Sequence, residues 1–339
     1  MYALAALASA SVFAQSSVTL GGTYNFGLQK STTGAKSADF FDAKVNLSGK
    51  EDLGGGLTAA FFTEIQVGGR QDTTTRQELG TASGQTTSVG NQSKTSGVWG
   101  RNATLSLAGG FGSVTGGRIE GSNVAQKAQL AGASLANGFD QADLAGANSN
   151  YNMVGYVSPA INGFTANVAV LKSLNADFAP AVTATDKQLS VTAVGFDYAA
   201  GPLAVGYVNK SINKADTTAD DGTKNEAYAT YDLGMAKVGY GYSKNSGARY
   251  AGQAATNIFS VAVPMGALTV GADYATRSKG GSAAAADSAG TTVGKSKGYA
   301  LAANYALSKR TKINATVGKL TLDGVAGESQ YRVGLFHNF

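Results

Sequence analysis

The chain has 339 residues, no cysteine, 46 glycines and only 4 prolines, and 14% of its residues are charged. Without thiols it forms no disulfide and offers no thiolate for metal or nucleophilic chemistry. Its net charge is +5, but Lys and Arg fall singly along the chain, which argues against nucleic acid as a partner, and the recurring Tyr, Phe and β-branched residues exclude a disordered chain.

The chain opens MYALAALASASVFAQSS, with a short apolar run from Ala3 to Phe13 and small residues around Ala14. This pattern is that of a secretory signal peptide over residues 1–14, cleaved after Ala14. The run lacks a basic leading segment, so the start is expected to be truncated. No later stretch approaches the roughly 18 consecutive apolar residues of a transmembrane helix. The expectation is an exported chain without a spanning helix, with residues 15–339 forming one domain.

From there the recurring period is two. VTLGGTYNFGL places Val18, Leu20, Tyr24, Phe26 and Leu28 on one face, with Thr19, Thr23 and Asn25 on the other. LTAAFFTEIQV sets Leu57, Phe61, Ile65 and Val67 against Thr58, Glu64 and Gln66. FTANVAV, LTVGADY, YALAANYAL and KINATVG repeat the device, while the strand Ser190 to Tyr198 has no clean face and suggests a bulge. The last segment, YRVGLFHNF, puts Tyr331, Val333, Leu335, His337 and Phe339 on one side. Each segment is about ten residues long, enough for a tilted strand to cross a bilayer.

Short links with turn chemistry, such as Asp52 to Gly56 and Gly201-Pro202, alternate with long polar stretches near 29–39, 68–97, 118–149, 172–187, 210–224, 244–255, 276–297 and 320–329. Seven short and eight long links predict about sixteen strands. The polar faces are small and hydrophilic, as a water-filled lumen requires, and only a closed barrel pairs every backbone group of a strand in hydrocarbon. The predicted fold is an all-β transmembrane antiparallel β-barrel of about sixteen strands, with short turns at one end and long loops at the other.

Other chemistries find little support. The single histidine, His337, lies two residues from the chain end on the outer face of the last strand, which disfavours a Ser-His-Asp constellation and an enzyme. No metal site and no cofactor are predicted. Asp220-Asp221 could offer carboxylates to Ca²⁺ but matches no ordered calcium loop.

Five motifs in order carry a resemblance: AQSSVTLGG from Ala14, KEDLGGGLTAAF from Lys50, GRNATLSLAGGFGSVTGGR from Gly100, YVSPAINGF from Tyr156, and the closing VGLFHNF. They resemble the general porins of Gram-negative bacteria, of the trimeric 16-stranded β-proteobacterial type, over nearly the whole mature chain. The resemblance implies a homotrimer in the outer membrane, with the short turns periplasmic, the long loops external, and one water-filled pore per barrel for passive diffusion of ions and small hydrophilic solutes. It also implies a third long loop, at about 119–149, folded inward as a constriction. On that loop it points to Glu120, Lys127, Asp140 and Asp143, and on the facing wall to Lys44, Arg101 and Arg118.

Parity supports an inward Lys44, which shares a face with Asn46 and Ser48. Arg101 is in register with Leu105 and Leu107, which puts it at a rim unless a bulge reorients it. Arg118 serves equally well as a loop anchor. Ser48 and Phe336 stand where the family usually has arginine, which thins the basic ladder; the net charge still leans toward mild anion selectivity. The C-terminal residues Tyr331, Val333, Leu335 and Phe339 are implied as the signal read by the outer-membrane assembly machinery. The implied partners are outer-membrane lipid, two further copies of the chain, that machinery, and ions and solutes in transit. By analogy with the family, the stretch Gly68 to Gly97 is a latch onto a neighbouring subunit. The alternatives are a substrate-specific channel, which would show an aromatic track in the lumen, and a closed barrel acting as an adhesin.

Overall fold

The computed structural model describes residues 17–30, 36–68, 102–120, 123–131, 150–173, 189–214, 222–247, 255–278, 295–322 and 329–339. The strands are β1 (Ser17–Lys30), β2 (Lys36–Gly54), β3 (Leu57–Gly68), β4 (Asn102–Gly109), β5 (Gly112–Glu120), β6 (Asn150–Val157), β7 (Phe164–Ser173) and β8 (Leu189–Ala200). They continue as β9 (Leu203–Lys214), β10 (Gly222–Asp232), β11 (Lys237–Ser246), β12 (Thr256–Met265), β13 (Leu268–Arg277), β14 (Ser296–Ala306), β15 (Thr311–Leu322) and β16 (Ser329–Asn338). Each strand pairs antiparallel with its sequence neighbours, and β1 pairs with β16, so the sheet is a closed barrel without an edge.

The two-residue period fixes which face meets lipid. Val18, Leu20, Phe26 and Leu28 of β1 are exposed on the outside, as are Leu301 and Tyr305 of β14 and Val333 and Leu335 of β16. The intervening residues point inward and are polar or small, among them Asn314 and Thr316 of β15, both fully buried. Outward tyrosines are satisfied by neighbouring amides: the Tyr240 hydroxyl donates to Asn257 Oδ1 at 2.8 Å, and that of Tyr207 to Asn225 Oδ1 at 2.7 Å. An amphipathic ring of this kind suits the membrane interface, where one end is dry and the other wet.

The short links follow the turn chemistry. After β2, Gly54, Gly55 and Gly56 all hold positive φ of 61–80°, a conformation that costs an L side chain but not glycine. The Asp52 carboxylate accepts from the Gly54 N–H at 2.9 Å and fixes the turn. Several strands run further than the alternation alone suggests. β1 reaches Lys30 and β2 starts at Lys36, inside a stretch read as loop from 29 to 39; β9 reaches Lys214 inside the stretch 210–224. At these loop-side ends both faces carry polar residues, so the ladder continues where the hydrophobic alternation has stopped.

The expected bulge in β8 is absent: its pairing is continuous from Ser190 to Tyr198 with β7 and from Leu189 to Ala200 with β9. The ambiguity arose because Val191 and Ala193 face inward and are buried, which puts apolar residues on both faces. The irregularities lie instead in β2, opposite Asn25/Phe26 of β1 and at Ala43/Lys44 and Asp52/Gly54 against β3.

Candidate pore constriction

Beyond β5 the chain enters the barrel. Asn123 caps a short 3-10 helix, Val124–Ala128, its side-chain Oδ1 accepting from the Ala125 N–H at 2.9 Å. The helix lies along the inner faces of β9 to β12. Ala125, Ala128 and Ala131, spaced by three, are fully buried against this wall. Opposite them stand glycines: a Cβ at Gly241 would run into the Ala125 carbonyl, one at Gly239 into the Ala128 carbonyl, and one at Gly271 into Ala131. Backbone can approach backbone here only because neither side carries a larger side chain. Two further hydrogen bonds pin the segment, Leu130 N–H to Ser260 Oγ at 2.8 Å and Asn304 Nδ2 to the Ala131 carbonyl at 3.1 Å.

The head of the segment is held by charge. Glu226 of β10 is wholly buried, with Lys224 Nζ 2.9 Å from one carboxylate oxygen and Lys210 Nζ 2.9 Å from the other. The second oxygen also accepts the Val124 N–H at 2.8 Å. A buried carboxylate is tolerated when its lone pairs are filled in this way. Further along, Lys127 Nζ donates to Asp197 Oδ1 of β8 at 2.8 Å, and the same oxygen accepts the Tyr228 hydroxyl at 2.9 Å. The ammonium also lies 5.0 Å from the centre of the Tyr228 ring. This pair is about half exposed, so solvent screening leaves it roughly 0–1 kcal/mol.

Cations line the wall away from this segment. Lys44 of β2 points inward, its Nζ 2.9 Å from Asp42 Oδ2. β10 lies eight positions from β2 in either direction around the ring of sixteen, so Lys44 faces the docked segment across the lumen. One cross-strand row joins Lys312 of β15, Phe336 of β16, Asn25 of β1 and Asp42 of β2. The Lys312 ammonium lies 5.6 Å and the Arg332 guanidinium 5.3 Å from the centre of the Phe336 ring. The negative face of an aromatic ring attracts cations, so Phe336 holds together two like charges that repel each other.

The sequence-predicted residues divide accordingly. Lys44 is on the inner wall, and Lys127 is on the docked segment but turned to the wall carboxylate Asp197. Glu120 ends β5, where its N–H donates to Asn102 Oδ1 at 2.9 Å, while Asn102 Nδ2 donates to Glu64 Oε1 at 3.2 Å. Arg118 pairs in register with Ala103 and Asn152, the face of Leu105 and Val154, which is the outer one. Arg101, Asp140, Asp143, Asp220, Asp221 and the stretch 69–97 lie outside the described residues. Sequence reasoning missed Asp197, Lys210, Lys224, Glu226, Lys312 and Arg332. Parity was the available signal: Lys312 shares a face with Asn314 and Thr316, opposite Ile313 and Val317.

A closed sixteen-strand barrel with an apolar exterior, a polar interior and an inward-docked segment defines the class as a membrane channel. The family model of Gram-negative porins matches residues 2–324, and the chain belongs to that family. An anion-selective porin from Comamonas acidovorans is similar in structure, with a TM-score of 0.62 and 22% identity over 96% of this chain and 100% of its own. A porin structure refined at 1.8 Å resolution gives a TM-score of 0.63 at 17% identity, covering 95% of this chain and 100% of its own. OmpT of Vibrio cholerae, an outer membrane protein in its trimer form, gives 0.59 at 13% identity, covering 96% and 99%. Among curated proteins no sequence matches. The chain is thus an outer-membrane channel for small solutes, and its family and fold are those of a channel rather than an enzyme.

Proposed function

We propose that the barrel is a general diffusion pore, mildly selective for anions, whose aperture lies between the docked segment 123–131 and the wall carrying Lys44, Lys312 and Arg332. The observation that carries this reading is the placement of Lys44 eight strands from Glu226, across the lumen from the segment. Inner-wall cations without a tight cage give weak sites, which conduction needs. The lean toward anions is supported by these three residues and by the anion selectivity stated for the Comamonas acidovorans porin. Lys127 and, beyond the described residues, Asp140 and Asp143 supply the loop side of the aperture; Glu120, at the end of β5, and Arg101 add to its rim.

Among the described residues the inward aromatics are scattered rather than aligned as a sugar track. Phe62 sits on β3, Tyr228 on β10 and Phe336 on β16, on separate parts of the wall. A substrate-specific channel therefore takes second place. The working unit is a homotrimer, a reading supported by the trimeric OmpT structure. The mature chain starts after Ala14, and the closing residues Tyr331, Val333, Leu335 and Phe339 address it to the assembly machinery.

Planar-bilayer recording tests the central claim. A large ohmic conductance that solute does not saturate, with a reversal potential displaced toward chloride in a salt gradient, is expected. Block by micromolar sugar or organic anion would replace this reading with the specific channel. Absence of conductance would remove both.

A further inference from the structure

The wall opposite the docked segment carries an aromatic ring between two cations. Phe336 of β16 points into the lumen, half-buried, and is in register with Lys312 of β15, which is exposed there. The Lys312 ammonium lies 5.6 Å from the ring centre, and the Arg332 guanidinium reaches within 5.3 Å of it along the same strand. That reach is open because Gly334, which stands between Arg332 and Phe336 on the inner face, brings no side chain, and neither does Gly27, its partner in register on β1.

The charge around the ring is unbalanced. Among the described residues Lys312 forms no ion pair with a carboxylate, and the charge acting on it is the like charge of Arg332. The carboxylate in the same cross-strand row, Asp42, stands two strands from Phe336, about 10 Å away. It is already paired with Lys44 at 2.9 Å. Asp197 and Glu226 lie on the far wall, on β8 and β10, each engaged with lysine.

A small inorganic anion is attracted by the two cations but gains nothing from the ring, whose face is negative. An aromatic carboxylate gains from both. The positive edge of its ring meets the face of Phe336, its own face can stack on the planar guanidinium of Arg332, and its carboxylate reaches the Lys312 ammonium. A saturated ring of the same size and charge brings the apolar area without the quadrupole.

We propose that Phe336, Lys312 and Arg332 form a lumenal subsite for aromatic carboxylates, so that the pore favours these solutes over aliphatic anions of equal charge. The proposal rests on the reading of the barrel as an anion-leaning diffusion pore and names the organic solute class that its cationic wall prefers. One ring and two cations hold such a solute weakly, in the millimolar range, and so let it leave again, as conduction requires.

The test is single-channel recording of the full-length protein in a KCl gradient, with sodium benzoate or sodium cyclohexanecarboxylate added. Benzoate should lower the current at a half-effect concentration about threefold or more below that of cyclohexanecarboxylate. F336L should bring the two concentrations together, F336Y should keep them apart, and F62L, on another part of the wall, should also keep them apart. A reversal potential toward potassium, or no current, would remove the pore reading and this proposal with it. A reversal potential toward chloride with no preference for benzoate in the wild-type protein would overturn this proposal alone, and that comparison requires no variant to fold. A preference that F336L retains would overturn it equally.

Discussion

Phe339 and Gly22 exchange two main-chain hydrogen bonds, each 3.1 Å long, so the last residue of the chain is stitched to its first strand. The Phe339 ring lies over Gly22, where any Cβ would meet it, and stacks on Tyr24 with 5.7 Å between ring centres. This seam closes the barrel, and an open seam would leave unpaired backbone groups in hydrocarbon at several kcal/mol each.

Deletion of Phe339 is expected to lower the yield of inserted barrel, measured as the heat-modifiable band on semi-native gels, more than it lowers the stability of the fraction that inserts. Normal yield would count against an addressing role. Gly22→Val keeps Phe339 but removes its seat. It should destabilise the folded barrel by about 1–2 kcal/mol in urea titrations, through weakened seam hydrogen bonds.

Lys44→Glu should move the reversal potential toward cations, because it reverses a charge on the wall facing the docked segment and places it beside Asp42. A displacement of several millivolts in a tenfold KCl gradient is the expected reading. No change would remove Lys44 from the aperture.

Glu226→Gln should loosen the head of the docked segment. It leaves Lys210 and Lys224 facing each other without the carboxylate that separates them and weakens the Val124 hydrogen bond. Losing one partner of a buried ion cluster costs about 3–5 kcal/mol. Urea unfolding in detergent should show a loss of this order, and single-channel traces should become noisier than wild type. A silent substitution in both assays would mean that the cluster does not hold the segment.

Gly239→Val offers a cleaner steric test, since Gly239 bears no charge. Its side chain would meet the Ala128 carbonyl and force the segment off the wall into the lumen. Single-channel conductance should fall by about a third or more, while the barrel, whose ladder on β11 is otherwise unaltered, should still insert. Wild-type conductance would show that the segment yields elsewhere.

Much of the barrel was legible because lipid on one side and water on the other impose a period of two on every strand. The seven turns and the closing strand from Tyr331 follow directly. Legibility failed where that contrast fades. The loop-side ends of β2 and β9 read as loop because both faces are polar there, and β8 read as irregular because Val191 and Ala193 make its inner face apolar. Within the pore, Lys44 was found because the residues that follow it alternate, Val45 and Leu47 against Asn46 and Ser48, although the ladder slips beside it at Ala43/Lys44. Glu226, Lys210 and Asp197 were not, because their meaning depends on a segment that is distant in the chain, 102 residues from Val124 to Glu226 and 70 from Lys127 to Asp197, whose landing place no local pattern records. Lys312 and Arg332 carried the right parity but gained significance only when the register set both beside Phe336.

The three alanines seated on three glycines act as a shim of minimum thickness. Each methyl group added at Gly239, Gly241, Gly271 or their partners thickens it and moves the inner wall toward the axis, leaving the sixteen-strand hoop and its lipid contacts untouched. The gauge of the opening can therefore be reset at a handful of positions independently of the hoop, so related sequences sharing this barrel are free to drift in what they admit without relearning how to assemble.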